Sequence, residues 1–298
     1  VEQLANVLRE HQPSGSWSSL IEIQPHGSKP PVFCIHAAGA NVLIYRPLAR
    51  HLGDDQPVYA LQAQGLDGQK PPLRRVEDMA AHYIREMRSV QPAGPYYLLG
   101  ASFGGLVIFE MAHQLLSEGQ KVALVAMLNT NCPVFTVTHR IRCHIGHLQQ
   151  SGVWTYGKGV AKALQRRLSR SAVSSEKTAS PDAQIANLLE ARTDRDEALV
   201  RTLRAIIHAE ENYVPTGKIY PGRITLFWAM NSIKDFEDNR LGWRRLAAGG
   251  LEVHEIPGNH TTIREEPNVR VLAEKLKVCL KNAVLQDNPT YRANSRYR

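Results

Sequence analysis

Three observations in the 298-residue sequence predict an α/β fold, a mostly parallel sheet with helices on both faces and a helical insertion. Its short apolar runs are continuous rather than alternating, stretches of helical period separate them, and one long helical block interrupts the series late in the chain. A strand that is apolar on every side chain must be covered on both faces, which is the situation of a parallel sheet between helices. The length and the 43% hydrophobic content suffice for one large domain with a sizeable core.

Strands are predicted over residues 32–35 (VFCI), 58–62, 96–99 and 122–128, and again over 224–228 and 251–256. Helices are predicted over residues 43–52, with Pro47 in the first turns, 76–90, 103–117, closed by Gly119, and 269–280. Between about 133 and 220 the strand signal stops and the pattern is helical, notably over 160–168 and 182–213, with a Ser/Thr-rich break at 169–180. Residues 1–11 set Val1, Leu4, Ala5 and Leu8 on one helix face and are followed by the breaker QPSGSW. Three segments result: a terminal helix and linker (1–16), a main domain (17–285) holding the insertion, and an unstructured tail (286–298).

The formal charge of +8 raises the question of nucleic acid, but aromatic residues make up only 7% and no basic block is interleaved with stacking side chains. A basic surface facing an acidic protein partner accounts for the charge equally well. No stretch approaches the roughly 18 apolar residues of a membrane span. The charged start VEQLANVLRE is not a signal peptide, so a cytosolic protein without membrane or nucleic-acid partners is expected. Cys34, Cys132, Cys143 and Cys279 are scattered without metal-type spacing and read as free thiols, with no bound metal or cofactor expected.

The strongest chemical signal is Gly100-Ala101-Ser102-Phe103-Gly104-Gly105, a G-x-S-x-G placed between a predicted strand and a predicted helix. That setting is the nucleophile elbow of an α/β-hydrolase: small neighbours let the chain turn sharply while the serine hydroxyl stands exposed over a helix N-terminus. A serine hydroxyl needs a base, and His260, in the tight loop Pro257-Gly258-Asn259-His260 after the last predicted strand, has the position and chain order of one. Backbone N–H groups of Phe103 and of Ala38, in the small-residue loop His36-Ala37-Ala38-Gly39-Ala40, are the candidate oxyanion donors. His36 reads as a loop-ordering or core residue rather than an acid or base.

The segments PVFCIHAAG, GPYYLLGASFGGLVIFEMA, YPGRITLFWA and EIPGNHTTI resemble the terminal thioesterase domains of non-ribosomal peptide and polyketide synthases over residues 31–280, apart from the insertion. The string VEQLANVLRE looks like the last helix of a carrier domain, which in those synthases precedes the thioesterase. The resemblance implies release of an acyl or peptidyl thioester carried on the 4'-phosphopantetheine of that upstream carrier domain, through a Ser102 acyl-enzyme. It also implies that residues 133–220 form a lid, on which Lys162, Arg166, Arg167 and Arg170 are either a solvated face or a landing site for the carrier.

One departure stands out against that family. Its triad aspartate follows the strand after the nucleophile helix, and here Asn129 occupies the place. Asn129 is an inactivating replacement, or part of an enzyme running on a dyad, or a bystander to an acid moved one strand later to Asp235 or Asp238. Asn129 is assigned to the triad position, ahead of Asp235 and Asp238. A retired hydrolase serving as a docking module and a stand-alone editing thioesterase are the alternative functions.

Overall fold

The computed structural model describes residues 17–133, 194–215, 218–232 and 236–287, all belonging to one compact unit. Its centre is a seven-stranded sheet: β1 (Leu20–Gln24), β2 (Val32–Ile35), β3 (Val58–Leu61), β4 (Tyr96–Ala101), β5 (Val122–Leu128), β6 (Ile224–Ala229) and β7 (Leu251–Ile256). The order across the sheet is β1-β3-β2-β4-β5-β6-β7, and every pairing is parallel except that of the edge strand β1 with β3. As the apolar runs demand, β2, β4 and β6 are buried at every residue.

Six α-helices stand among the described residues: α1 (Arg46–Leu52), α2 (Val76–Arg88), α3 (Phe103–Ser117), α4 (Asp194–Asn212), α5 (Phe236–Leu246) and α6 (Asn268–Asp287). Val32, Cys34, Tyr97, Leu99, Ala126, Leu128 and Phe227 form one core with Leu48 and Leu52 of α1 and Leu272, Leu276 and Leu280 of α6. Their strand neighbours Phe33, Ile35, Leu98, Val125, Met127 and Leu226 are equally buried and by alternation point the other way, toward α3, which packs on β4, β5 and β2 with α2 beside it.

The predicted parallel sheet and its helices are thus present, with differences at the edges. β1 was not predicted, because LIEIQ is half-exposed on an antiparallel edge and carries no continuous apolar run. α5 was not predicted either, since FEDNRLGWRRL is largely charged and owes its place to the buried Trp243. Residues 43–45 form a 3₁₀ turn ahead of α1, and α6 runs through Asp287, so the proposed tail boundary at 286 falls inside a helix. The carrier-like segment 1–16, residues 134–193 of the insertion with Lys162, Arg166, Arg167 and Arg170, and the residues beyond Asp287 lie outside the described residues. Among the described residues no helix is long and apolar enough to cross a membrane.

Candidate active site

β4 delivers the chain to Ser102 at the middle of the sheet, and α3 starts at the next residue. Ser102 has φ 52° and ψ −120°, a backbone state that costs a non-glycine residue about 1–3 kcal/mol and persists only when its surroundings hold it. Its N–H donates to the Leu128 carbonyl at 2.9 Å, and its own carbonyl accepts the Gly105 N–H at 2.9 Å. A Cβ on Gly100 would stand 2.3 Å from the Gly104 carbonyl oxygen, one on Gly104 2.6 Å from that of Ile35, and one on Gly105 2.1 Å from Thr130 Oγ1. The glycines around Ser102 are therefore required by contact with backbone and a buried threonine, in addition to the turn itself.

Tyr45, which sequence reasoning passed over, clamps the same corner. Its buried hydroxyl donates to the Ile35 carbonyl at 2.5 Å and accepts the Ala101 N–H at 3.0 Å, tying the end of β2 to the residue before Ser102. Its only sequence signal is an aromatic residue ahead of a short helix. The loop after β2 turns through Ala37 and Ala40, joined by a 3.0 Å backbone hydrogen bond, with Ala38 half-buried between them. Phe103 opens α3, whose first N–H groups have no partner within the helix.

His36 is wholly buried below that loop. A carbonyl only accepts, so Nδ1–H donates to the Ala37 oxygen at 2.8 Å and Nε2 accepts from the Tyr83 hydroxyl at 2.7 Å. Burial opposes its charge more than the Ala37 carbonyl favours it, and the pKa is drawn down to about 4.

His260 follows β7 in a turn fastened by Asn259, whose Oδ1 accepts the N–H groups of Thr261 and Thr262, both at 3.0 Å. The turn is also tied to the segment after β6 through the Asn231 N–H and the Gly258 carbonyl, 2.9 Å apart. His260 Nδ1 lies 2.7 Å from Asn129 Nδ2. Asn129 is 4% exposed, with φ 47°, a left-handed state that asparagine and aspartate adopt more readily than other side chains. Its N–H donates to Phe227 O at 2.8 Å, and its Oδ1 accepts the Ala229 N–H at 2.9 Å and the Ser232 hydroxyl at 3.0 Å. Desolvation and then the positive charge of Arg264 lower the His260 pKa, and among the described residues no carboxylate acts to raise it.

The structure thus joins Asn129 to His260 directly and brings Asn129 level with Ser102, whose N–H is bonded to Leu128, the residue before Asn129. No hydrogen bond links the Ser102 hydroxyl to His260 among the described residues; such bonds often tighten only when substrate is bound. Asp235 and the side chain of Asp238 lie outside the described residues.

Two further polar clusters belong to the scaffold. Glu110 of α3 is buried and bound by Lys218 Nζ at 2.6 and 2.7 Å and by the Tyr213 hydroxyl at 3.0 Å, fixing the returning leg of the insertion to the helix that carries Ser102. Burial would raise its pKa, but the Lys218 and Gln114 hydrogen bonds outweigh that and lower it. Glu252, His254 and Cys279 bring possible ligand atoms within 4.8 Å of one another beside a cleft at the amino-terminal end of β5 and β6. There His254 is hydrogen-bonded to Glu252 at 3.0 Å, and burial pushes the Cys279 thiol up to about 11.

The profile of the family described as "Thioesterase domain" matches residues 30–278. The dimodular nonribosomal peptide synthase of Bacillus subtilis (strain 168) is 41% identical over 129 residues, 43% of this chain and 5% of that protein. The chain spans between 2% and 30% of the length of the curated relatives it matches. Among solved structures, the four-domain nonribosomal peptide synthetase holo-AB3403, bound to AMP and glycine, superposes with a TM-score of 0.66 at 26% identity, covering 92% of this chain and 21% of that one. The covalent complex of the NocB thioesterase domain with a fluorophosphonate nocardicin G analog superposes with a TM-score of 0.62 at 20% identity, covering 88% of this chain and 100% of that one.

The buried His36 makes folding pH-dependent. Below pH 6.5 the unfolded chain takes up a proton that the folded chain refuses until about pH 4, so stability is full above 6.5 and falls as the pH drops through that window. The contribution is on the order of 3 kcal/mol. Urea denaturation of His36→Gln should show a shallower decline between pH 6.5 and 4 than the parent, with the other lowered histidines, His82, His113 and His260, and the lowered carboxyls of Asp55, Glu110 and Glu266 contributing to the slope that remains. Equal slopes would contradict this.

Proposed function

The chain belongs to the thioesterase-domain family, and from that premise we propose that it releases an acyl or peptidyl chain from the 4'-phosphopantetheine arm of a carrier domain upstream in the same synthase. Ser102 Oγ attacks the thioester carbonyl while His260 takes its proton, and the Phe103 and Ala38 N–H groups receive the developing oxyanion. The C–S bond then breaks, and the arm leaves as a thiol with the proton His260 returns. Water releases a free acid from the acyl-enzyme; a hydroxyl or amine of the bound chain releases a ring. The observation that carries this reading is the left-handed Ser102 at the end of β4, one residue across the sheet from an Asn129–His260 pair. The nonribosomal peptide synthetases among the relatives and the fluorophosphonate complex of the NocB domain support it.

Asn129 is assigned to the position of the triad acid, ahead of Asp235 and Asp238, because its amide already engages His260 Nδ1. The same amide motivates a second reading, a retired hydrolase that serves as a docking module. Against it stands the strained backbone of Ser102, which a docking surface has no physical reason to keep.

Ser102→Ala is expected to keep the parent's circular dichroism and melting temperature while losing fluorophosphonate labelling and thioester turnover. Turnover above about a tenth of the parent's would remove Ser102 from the mechanism. Parent protein that never labels favours the docking module.

In a serine protease the Asp→Asn change at the triad costs about 10⁴ in turnover with the geometry kept. Asn129→Asp should accordingly raise turnover of a simple acyl thioester on the order of 10²- to 10⁴-fold, with Asp235→Ala and Asp238→Ala near neutral. A dead Asp235→Ala or Asp238→Ala variant beside an unchanged Asn129→Asp would place the acid one strand later.

A further inference from the structure

We infer that Asn129 holds His260 in the tautomer with its proton on Nε2, so that the imidazole presents Ser102 with an N–H instead of a lone pair. The inference rests on the assignment of Ser102 and His260 as nucleophile and base, and it locates the effect of Asn129 in a single proton.

The orientation of the amide follows from its neighbours. The Ala229 backbone N–H, 2.9 Å from Asn129 Oδ1, only donates, so an oxygen must face it. The Ser232 hydroxyl donates to the same oxygen at 3.0 Å. Turning the amide over would set NH₂ against the Ala229 N–H in a buried position, leaving that donor unsatisfied. The NH₂ group is therefore the end that meets His260, 2.7 Å from Nδ1.

An amide nitrogen has hydrogens to give and no lone pair to accept with. His260 Nδ1 must then be bare, and a neutral imidazole with a bare Nδ1 carries its proton on Nε2. The imidazolium is disfavoured as well, since its Nδ1–H would oppose an amide N–H; Arg264, the one charge acting on this ring among the described residues, adds to the effect. A carboxylate at the same place would accept from Ala229, Ser232 and an Nδ1–H together, freeing Nε2 to act as base. Ala229 and Ser232 are thus positioning residues: they act on His260 through Asn129.

Nitrogen NMR of the whole chain, labelled with ¹⁵N-histidine, tests this directly. One of the twelve histidines is assigned to His260 by its loss in His260→Gln. The parent should show His260 as the Nε2–H tautomer wherever the ring is neutral, and Asn129→Asp should convert it to Nδ1–H. Ser232→Ala should leave the tautomer unchanged, because the Ala229 backbone still fixes the amide; the other histidine signals report whether each variant is folded. An Nδ1–H signal in the parent, or the same tautomer in a folded Asn129→Asp variant, overturns the inference. A tautomer that switches while thioester turnover stays absent supports the lock and overturns the thioesterase reading instead.

Discussion

The hydrogen bond from the Ser102 N–H to the Leu128 carbonyl sets the register on which the site depends. It brings the turn after β4 level with the end of β5, so the residue after Leu128 stands beside the serine. That residue, Asn129, passes the alignment on: its N–H reaches Phe227 on β6, its Oδ1 reaches Ala229, and its Nδ2 reaches the histidine after β7. Three neighbouring strand ends and one loop are fixed by one backbone and one side chain. Gly100, Gly104, Gly105 and Tyr45 serve the same end from below, by letting the chain pack tightly enough for that hydrogen bond to form.

Magnitudes separate the two ways in which an asparagine acts here. A lost or weakened hydrogen bond in the support of His260 is worth about 0.5–1.5 kcal/mol, or roughly a tenfold effect. A factor of about 10⁴ corresponds to about 5.5 kcal/mol. Asn129 keeps hydrogen bonds to His260, Ala229 and Ser232 at 2.7–3.0 Å, so on the inference above what differs from a carboxylate is which atom of the imidazole holds the proton. A charge effect adds to it, since an amide offers nothing to an imidazolium and Arg264 opposes one.

Much of this was legible in the sequence. Continuous apolar runs such as VFCI and ITLFWA belong to strands covered on both faces, and G-x-S-x-G after YYLL marks the elbow because small residues are a steric necessity there. The half-buried β1 and the charged α5 escaped because their places are fixed by pairing and by one buried tryptophan, which no local periodicity records. Tyr45 escaped because its role is two hydrogen bonds to strands distant in sequence. Asn129 was found through resemblance, since an amide after a strand carries no chemical signal of its own. The direction of that amide needed the Ala229 N–H, which only the fold brings near.

On the proposed function, Ser102 forms an acyl bond with a phosphopantetheine-linked chain at a site whose base is held back. Intact-protein mass spectrometry after mixing the parent chain with an acyl-phosphopantetheine thioester tests it most directly. A single acyl adduct, accumulating slowly and mapped by peptide sequencing to Ser102, is the predicted result. No adduct, or one carried by another residue such as Cys132, would remove Ser102 as the acyl acceptor.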